Sequence, residues 1–111
     1  MDGDAQRGSQ PHFERRRVEE SVLLLSIEGE LDIGSANALR AALDAAERES
    51  DIVRLDTRDV QFLDSSALGV LLASAQRLSA RGGRLELTNV SPAVRRILDM
   101  TLIARTVHVI P

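Results

Sequence analysis

The chain has 111 residues, 43% of them hydrophobic and 28% charged, with a formal net charge of −3; this suits one globular domain and leaves no room for a second. It contains no cysteine, which excludes disulfides, zinc thiolate sites and a cysteine nucleophile and fits a reducing cytoplasm. The acidic balance, the two phenylalanines as sole aromatic residues and the lack of any apolar run near the roughly 20 residues that span a bilayer argue against direct nucleic-acid binding and membrane insertion.

Met1 to His12 is polar, carries Gly3, Gly8 and Pro11, and lacks the apolar stretch of a signal peptide. It reads as a disordered tail, residues 1–12, ahead of a domain over 13–111. Phe13 to Val18 reads as a short edge strand whose Arg15, Arg16 and Arg17 form a solvated face. Val22 to Glu28 is continuously apolar at its start, as in a strand covered on both sides. With Glu19, Glu20 and Ser21 as the turn, the two strands predict an antiparallel hairpin. Gly29 is expected to end the second strand, and Glu30 to Gly34 to form a connecting loop. Ser35 suits the N-cap of a helix over 36–48, in which Leu39, Ala42, Leu43 and Ala46 recur at helical spacing. Asp51 to Leu55 predicts the next strand.

Val60 to Leu63 leads into Asp64, Ser65 and Ser66, after which Leu68, Leu71, Leu72, Ala75 and Leu78 mark one helical stripe. That helix is expected to stop at Gly82 and Gly83. Leu85 and Leu87 alternate with polar residues in a strand over 84–88. Ser91 and Pro92 read as an N-cap and first helical residue, with Val94, Ile97 and Leu98 on the apolar face. Val107 to Ile110 reads as the last strand. The order β-β-α-β-α-β-α-β predicts an α/β domain: a mixed, mostly parallel sheet that starts with an antiparallel hairpin and has helices packed on it.

The segment Phe62-Leu63-Asp64-Ser65-Ser66-Ala67-Leu68-Gly69-Val70 is the informative one. It is a strand exit, an acidic-serine turn and the first turn of a helix. Asp64 or Ser65 can cap the backbone N–H groups of that turn. Two tandem hydroxyls exceed what one cap needs. They also fall at the C-terminal end of an expected parallel strand, where open α/β sheets place their ligand sites.

Three blocks carry a resemblance to the STAS domain family, and within it to bacterial anti-sigma-factor antagonists. They are Gly29-Glu30-Leu31-Asp32, Phe62 to Gly69 and Ser91-Pro92-Ala93-Val94-Arg95-Arg96-Ile97-Leu98-Asp99-Met100, at matching spacing from about Phe13 to Ile110. The resemblance implies a protein that binds an anti-sigma factor with serine kinase activity and so releases a sigma factor. It implies that the kinase phosphorylates the second serine of the motif, Ser66, or, as the lesser alternative, Ser65. Phosphorylation ends binding and a phosphatase resets the switch. Leu31, Asp32, Ile33, Asp64, Ser65, Ala67 and Leu68 are the candidate partner contacts. Asp32 is equally a loop residue that caps the next helix, and Leu68 equally a core residue. The chain departs from the family twice. Ala67 stands where glycine usually follows the second serine, and a C-terminal helix common in relatives is not expected before Pro111.

Members of the family also serve as accessory or scaffold subunits of transporters, lipid-transport complexes and stress-signalling assemblies, which is the alternative reading. An enzyme is the rival from another class. His12 and His108 are the only histidines, one in the tail and one in the last strand, and no nucleophile elbow, phosphate-binding loop or metal-ligand cluster is present. Ser66 therefore reads as a substrate and not a nucleophile. No catalytic residue, metal or cofactor is expected, and the expected oligomeric state is a monomer or weak dimer in the cytoplasm.

Overall fold

The structure is a computed structural model that describes residues 10–101 and 105–110. Most of the expected tail, residues 1–9, lies outside the described residues. The strands and helices follow the anticipated order: β1 (His12–Glu19), β2 (Val22–Leu31), α1 (Ala36–Glu49), β3 (Ile52–Leu63), α2 (Ser65–Ala80), β4 (Arg84–Thr88), α3 (Pro92–Met100) and β5 (His108–Val109). They build one five-stranded sheet in the order β1-β2-β3-β4-β5. β1 and β2 pair antiparallel and every other neighbouring pair is parallel.

Side chains alternate across the sheet, so each strand sorts its residues between two faces. Leu23, Leu25 and Ile27 of β2, Val53 and Leu55 of β3, and Leu85 and Leu87 of β4 form one buried layer. That layer shares a single core with Leu39, Leu43 and Ala46 of α1, Ala67, Leu71, Ala75 and Leu78 of α2, and Val94 and Leu98 of α3. The opposite face is not the second apolar contact that the start of β2 suggested. Leu24 and Ser26 are only half-buried there. Next to them Arg54 Nε donates to Glu86 Oε1 at 2.7 Å, and Arg84 Nε donates to Glu86 Oε2 at 2.6 Å. Burial works against ionising Glu86, but the hydrogen bonds and charges of the two arginines outweigh it and hold its carboxyl below the usual glutamate range.

Two elements run further than their sequence suggested, for one reason. Gly29 does not end β2. It sits inside the strand at φ +120°, where a Cβ would meet the Pro11 Cα at 3.1 Å. β2 and β3 continue in parallel from Ser26↔Asp56 to Leu31↔Leu63, with register shifts after Ser26 and after Gly29. Irregularities of this kind bend a strand without ending its pairing, and glycine is the residue that permits them. The polar run from Asp56 to Asp59 hides the second half of β3 in the sequence, although Thr57 and Val60 are buried. At the C-terminal end the last strand is shorter than expected, His108–Val109.

α1 and α2 are fixed to each other by a buried polar contact. Ser74 Oγ donates to Glu47 Oε2 at 2.5 Å, and Arg77 clamps the same carboxylate through Nε and Nη2, both at 2.9 Å. Burial raises the pKa of Glu47, but the hydrogen bonds from Arg77 and Ser74 and the charges of Arg77 and Arg81 outweigh it, so the carboxyl stays below the usual range. α2 ends at Ala80, with Arg81 as its C-cap and Gly82 next at φ +83°. Gly83 is held for a different reason. A Cβ there would lie 1.8 Å from the Asp51 carbonyl oxygen, which accepts from the Arg84 N–H at 3.0 Å.

Candidate functional site

The site lies at the C-terminal edge of the sheet, where β2 and β3 end and α2 begins. Asp64 is the N-cap of α2, with extended backbone at φ −106° and ψ −178°. Its Oδ1 accepts from the Ser66 N–H at 2.9 Å and the Ala67 N–H at 3.1 Å. Of the two capping candidates, Asp64 therefore takes the role and Ser65 does not. Two of the first-turn amides of α2 are thus already occupied by a carboxylate. The Asp64 carboxylate has a second task. Its Oδ2 accepts from the Ile33 N–H at 3.1 Å, and the Asp64 N–H donates to the Leu31 carbonyl at 3.0 Å.

The loop that Ile33 belongs to is a tight turn, Asp32 to Ser35, between β2 and α1. Asp32 Oδ1 accepts from the Ser35 N–H at 3.1 Å, and the Ser35 hydroxyl accepts from the Asp32 N–H at 2.9 Å. Ser35 precedes α1 as expected, but its side chain makes no cap hydrogen bond to that helix. Its hydroxyl turns back towards the Glu30 carbonyl at 3.2 Å and is buried. Asp32 is thus the residue that closes the turn.

Ser65 and Ser66 are the first two residues of α2; Ser65 is exposed and Ser66 half-buried. Ala67 is not a surface contact: at 0% exposure its methyl group packs in the core, because the third residue of the helix turns towards the sheet. Leu31, expected as a contact as well, also points inward, because it is a strand residue on the core face of β2. It pairs with Leu63 inside the sheet and is 1% exposed. Leu68 is half-buried. It packs on the core and also lines, with Ser65, Gly69, Leu72 and Gln76 of α2 and with Thr101 and Thr106, an open groove of about 460 Å³. Ile33, 79% exposed, is the apolar side chain the turn presents to solvent.

Phe62, which is not among the contacts the sequence suggests, is 47% exposed at the end of β3, beside Glu30 on β2. Its position one residue before an inward-facing Leu63 is the signal that places it outside. Among the described residues no group of three or more His, Cys, Asp or Glu is placed to hold a metal ion, and no helix is long and apolar enough to cross a membrane.

The STAS domain family matches residues 15–111 of the chain. The chain belongs to the STAS domain family. It is similar to the anti-sigma F factor antagonist of Paenibacillus polymyxa, 35% identical over 82 residues that cover 72% of this chain and 70% of that protein. It is also similar to the anti-sigma-B factor antagonist of Bacillus subtilis, 33% identical over 82 residues that cover 74% and 75% of the two chains. Among solved structures, an anti-sigma factor antagonist from Mycobacterium paratuberculosis superposes with a TM-score of 0.81 at 26% identity, covering 93% of this chain and 87% of that one. This STAS domain therefore shares sequence and fold with regulatory binding proteins.

Proposed function

We propose that this STAS domain is an anti-sigma factor antagonist that binds an anti-sigma factor with serine kinase activity, releases a sigma factor, and is turned off by phosphorylation of Ser66. The supporting observation is the place of Ser66. It is the second residue of a capped helix that follows the C-terminal end of the central strand β3, half-buried and outside the apolar core, and its N–H shares the Asp64 carboxylate with the N–H of exposed Ile33. A hydroxyl in that position can be offered to a kinase without unfolding the domain. The similarity to two named antagonists supports the partner class.

The off switch needs no large conformational change. Phosphoserine carries about −1.5 to −2 charges at neutral pH. A like charge about 4 Å away costs roughly 4 kcal/mol at an effective dielectric of about 20, which is about a thousandfold in affinity. The Ser66 and Ala67 amides already serve Asp64, so a phosphate on Ser66 gains little from them. In this reading the added charge falls on the surface that the partner covers, at the half-buried start of α2. Ser65, exposed one residue earlier, is the lesser candidate for the acceptor. A phosphatase returns the antagonist to its binding form.

The test is incubation of the purified chain with anti-sigma factor kinases and ATP, followed by mass spectrometric mapping of the phosphate. The expected result is one phosphate on Ser66 and release of the kinase. A chain that is labelled elsewhere, or that stays bound after stoichiometric labelling of Ser66, overturns the proposal.

A further inference from the structure

A single carboxylate joins two segments that stand 31 residues apart in the sequence. Asp64 Oδ1 holds the first turn of α2, and Asp64 Oδ2 holds the Ile33 N–H. Because the two oxygens belong to one planar group, the amide nitrogens of Ile33 and Ser66 lie within about 8 Å of each other. We propose that Asp64 is a positioning residue that holds Ile33 beside Ser66, and that Ile33 is an apolar anchor for the kinase that phosphorylates Ser66. This inference rests on the antagonist reading of Ser66.

An exposed isoleucine by itself is unremarkable on a protein surface. Here the backbone beneath it is fixed. Asp32 and Ser35 close the turn from both sides and Asp64 ties its middle to the phosphoacceptor helix. The side chain is 79% exposed on a backbone already ordered, so docking on it costs little conformational freedom. A protein domain that brings its active site to Ser66 also stands over a residue this near. The capping role alone does not account for the second oxygen, because serine or asparagine would serve an N-cap equally well.

Asp64→Asn separates the two roles. The amide oxygen still accepts from the α2 N–H groups, and asparagine is as good an N-cap as aspartate. The amide NH₂ on the other side cannot accept from the Ile33 N–H. In the isolated chain we expect the Ile33 amide to exchange about tenfold faster in Asp64→Asn, with Ala67 protection and the unfolding midpoint close to the parent. Binding is then measured to the anti-sigma factor kinase that labels the parent chain. Ile33→Ala is expected to weaken it about tenfold. The double variant Ile33→Ala/Asp64→Asn is expected to be no weaker than Ile33→Ala alone, because the tether acts through Ile33. Unchanged Ile33 exchange in Asp64→Asn, parental affinity in Ile33→Ala, or additive losses in the double variant would each overturn the inference. A kinase that labels the parent at Ser66 yet binds Ile33→Ala at full strength overturns the anchor and leaves the antagonist reading intact. Failure of every anti-sigma factor kinase to bind the parent overturns the antagonist reading itself.

Discussion

Replacing Ser66 by aspartate puts one negative charge at the second position of α2. Two effects on the fold oppose each other. An acidic group at a helix N-terminus gains about 0.3 to 1 kcal/mol from the helix dipole. The Asp64 carboxylate, whose Oδ1 lies 2.9 Å from the Ser66 nitrogen, repels it. At roughly 6 Å that repulsion is about 3 kcal/mol at a dielectric of 20 and about 0.7 kcal/mol in bulk water. Ser66 is half-buried in the first turn of α2, where water reaches both charges, so the net change in stability is expected within about 1 kcal/mol. At the proposed interface no such cancellation is expected. One charge held near a like charge at about 4 Å costs up to roughly 4 kcal/mol, so affinity for the kinase should fall by about a hundredfold or more. Ser66→Asn supplies nearly the same shape without charge, and its loss should stay below about tenfold. The assay is calorimetric titration of each folded variant with the kinase, repeated at raised salt, where the deficit of Ser66→Asp should shrink and that of Ser66→Asn should not. Equal losses for the two variants would show that shape and not charge drives release, and a folded Ser66→Asp with parental affinity would refute the switch.

The remaining expectations concern the frame that holds the site. Asp64→Ala removes the acceptor for three backbone N–H groups and should cost about 1 to 2 kcal/mol in urea denaturation, clearly more than Asp64→Asn. Gly83→Ala drives a Cβ to 1.8 Å from the Asp51 carbonyl oxygen, for an expected loss of about 3 kcal/mol and a fall in thermal midpoint on the order of 10 °C. Gly82→Ala, with open space but φ +83°, should cost only about 1 to 2 kcal/mol; equal losses at the two glycines would argue against the clash. Glu47 and Glu86 both have carboxyl pKa values lowered by their arginines. A lowered folded pKa means that the stabilisation is complete above the ordinary glutamate range and is lost as pH falls through and below it. Denaturation midpoints followed from neutral to acid pH should drop in that window, and a Glu47→Gln/Glu86→Gln variant should show a flatter profile.

Much of this protein is legible in local pattern. The stripe Leu71, Ala75 and Leu78, the alternation of Leu85 and Leu87, and the Ser91-Pro92 start of α3 each specify their element, because helix and strand periods are properties of neighbouring residues. Ser91 caps as its sequence suggests, accepting from the Val94 N–H at 3.3 Å. Ser35, an equally good capping residue, does not, because its hydroxyl accepts from the Asp32 N–H and turns to the Glu30 carbonyl. The same competition is invisible at Gly29, where the pairing of β2 with β3 carries the strand past a residue that locally reads as a stop.

The candidate site divides along the same line. The chain's own order of residues determined that an acid and two serines open α2 at the end of a parallel strand, since capping, helical period and strand exit depend on neighbours a few positions away. Only tertiary structure decided which of the named residues face outward. Leu31 and Ala67 turn into the core, while Ile33 and Phe62 stand in solvent. It alone also decided that Asp64 reaches Ile33, a contact across 31 residues. A hydrogen bond at that separation is set by how β2 and β3 lie side by side, and no spacing within either segment encodes it.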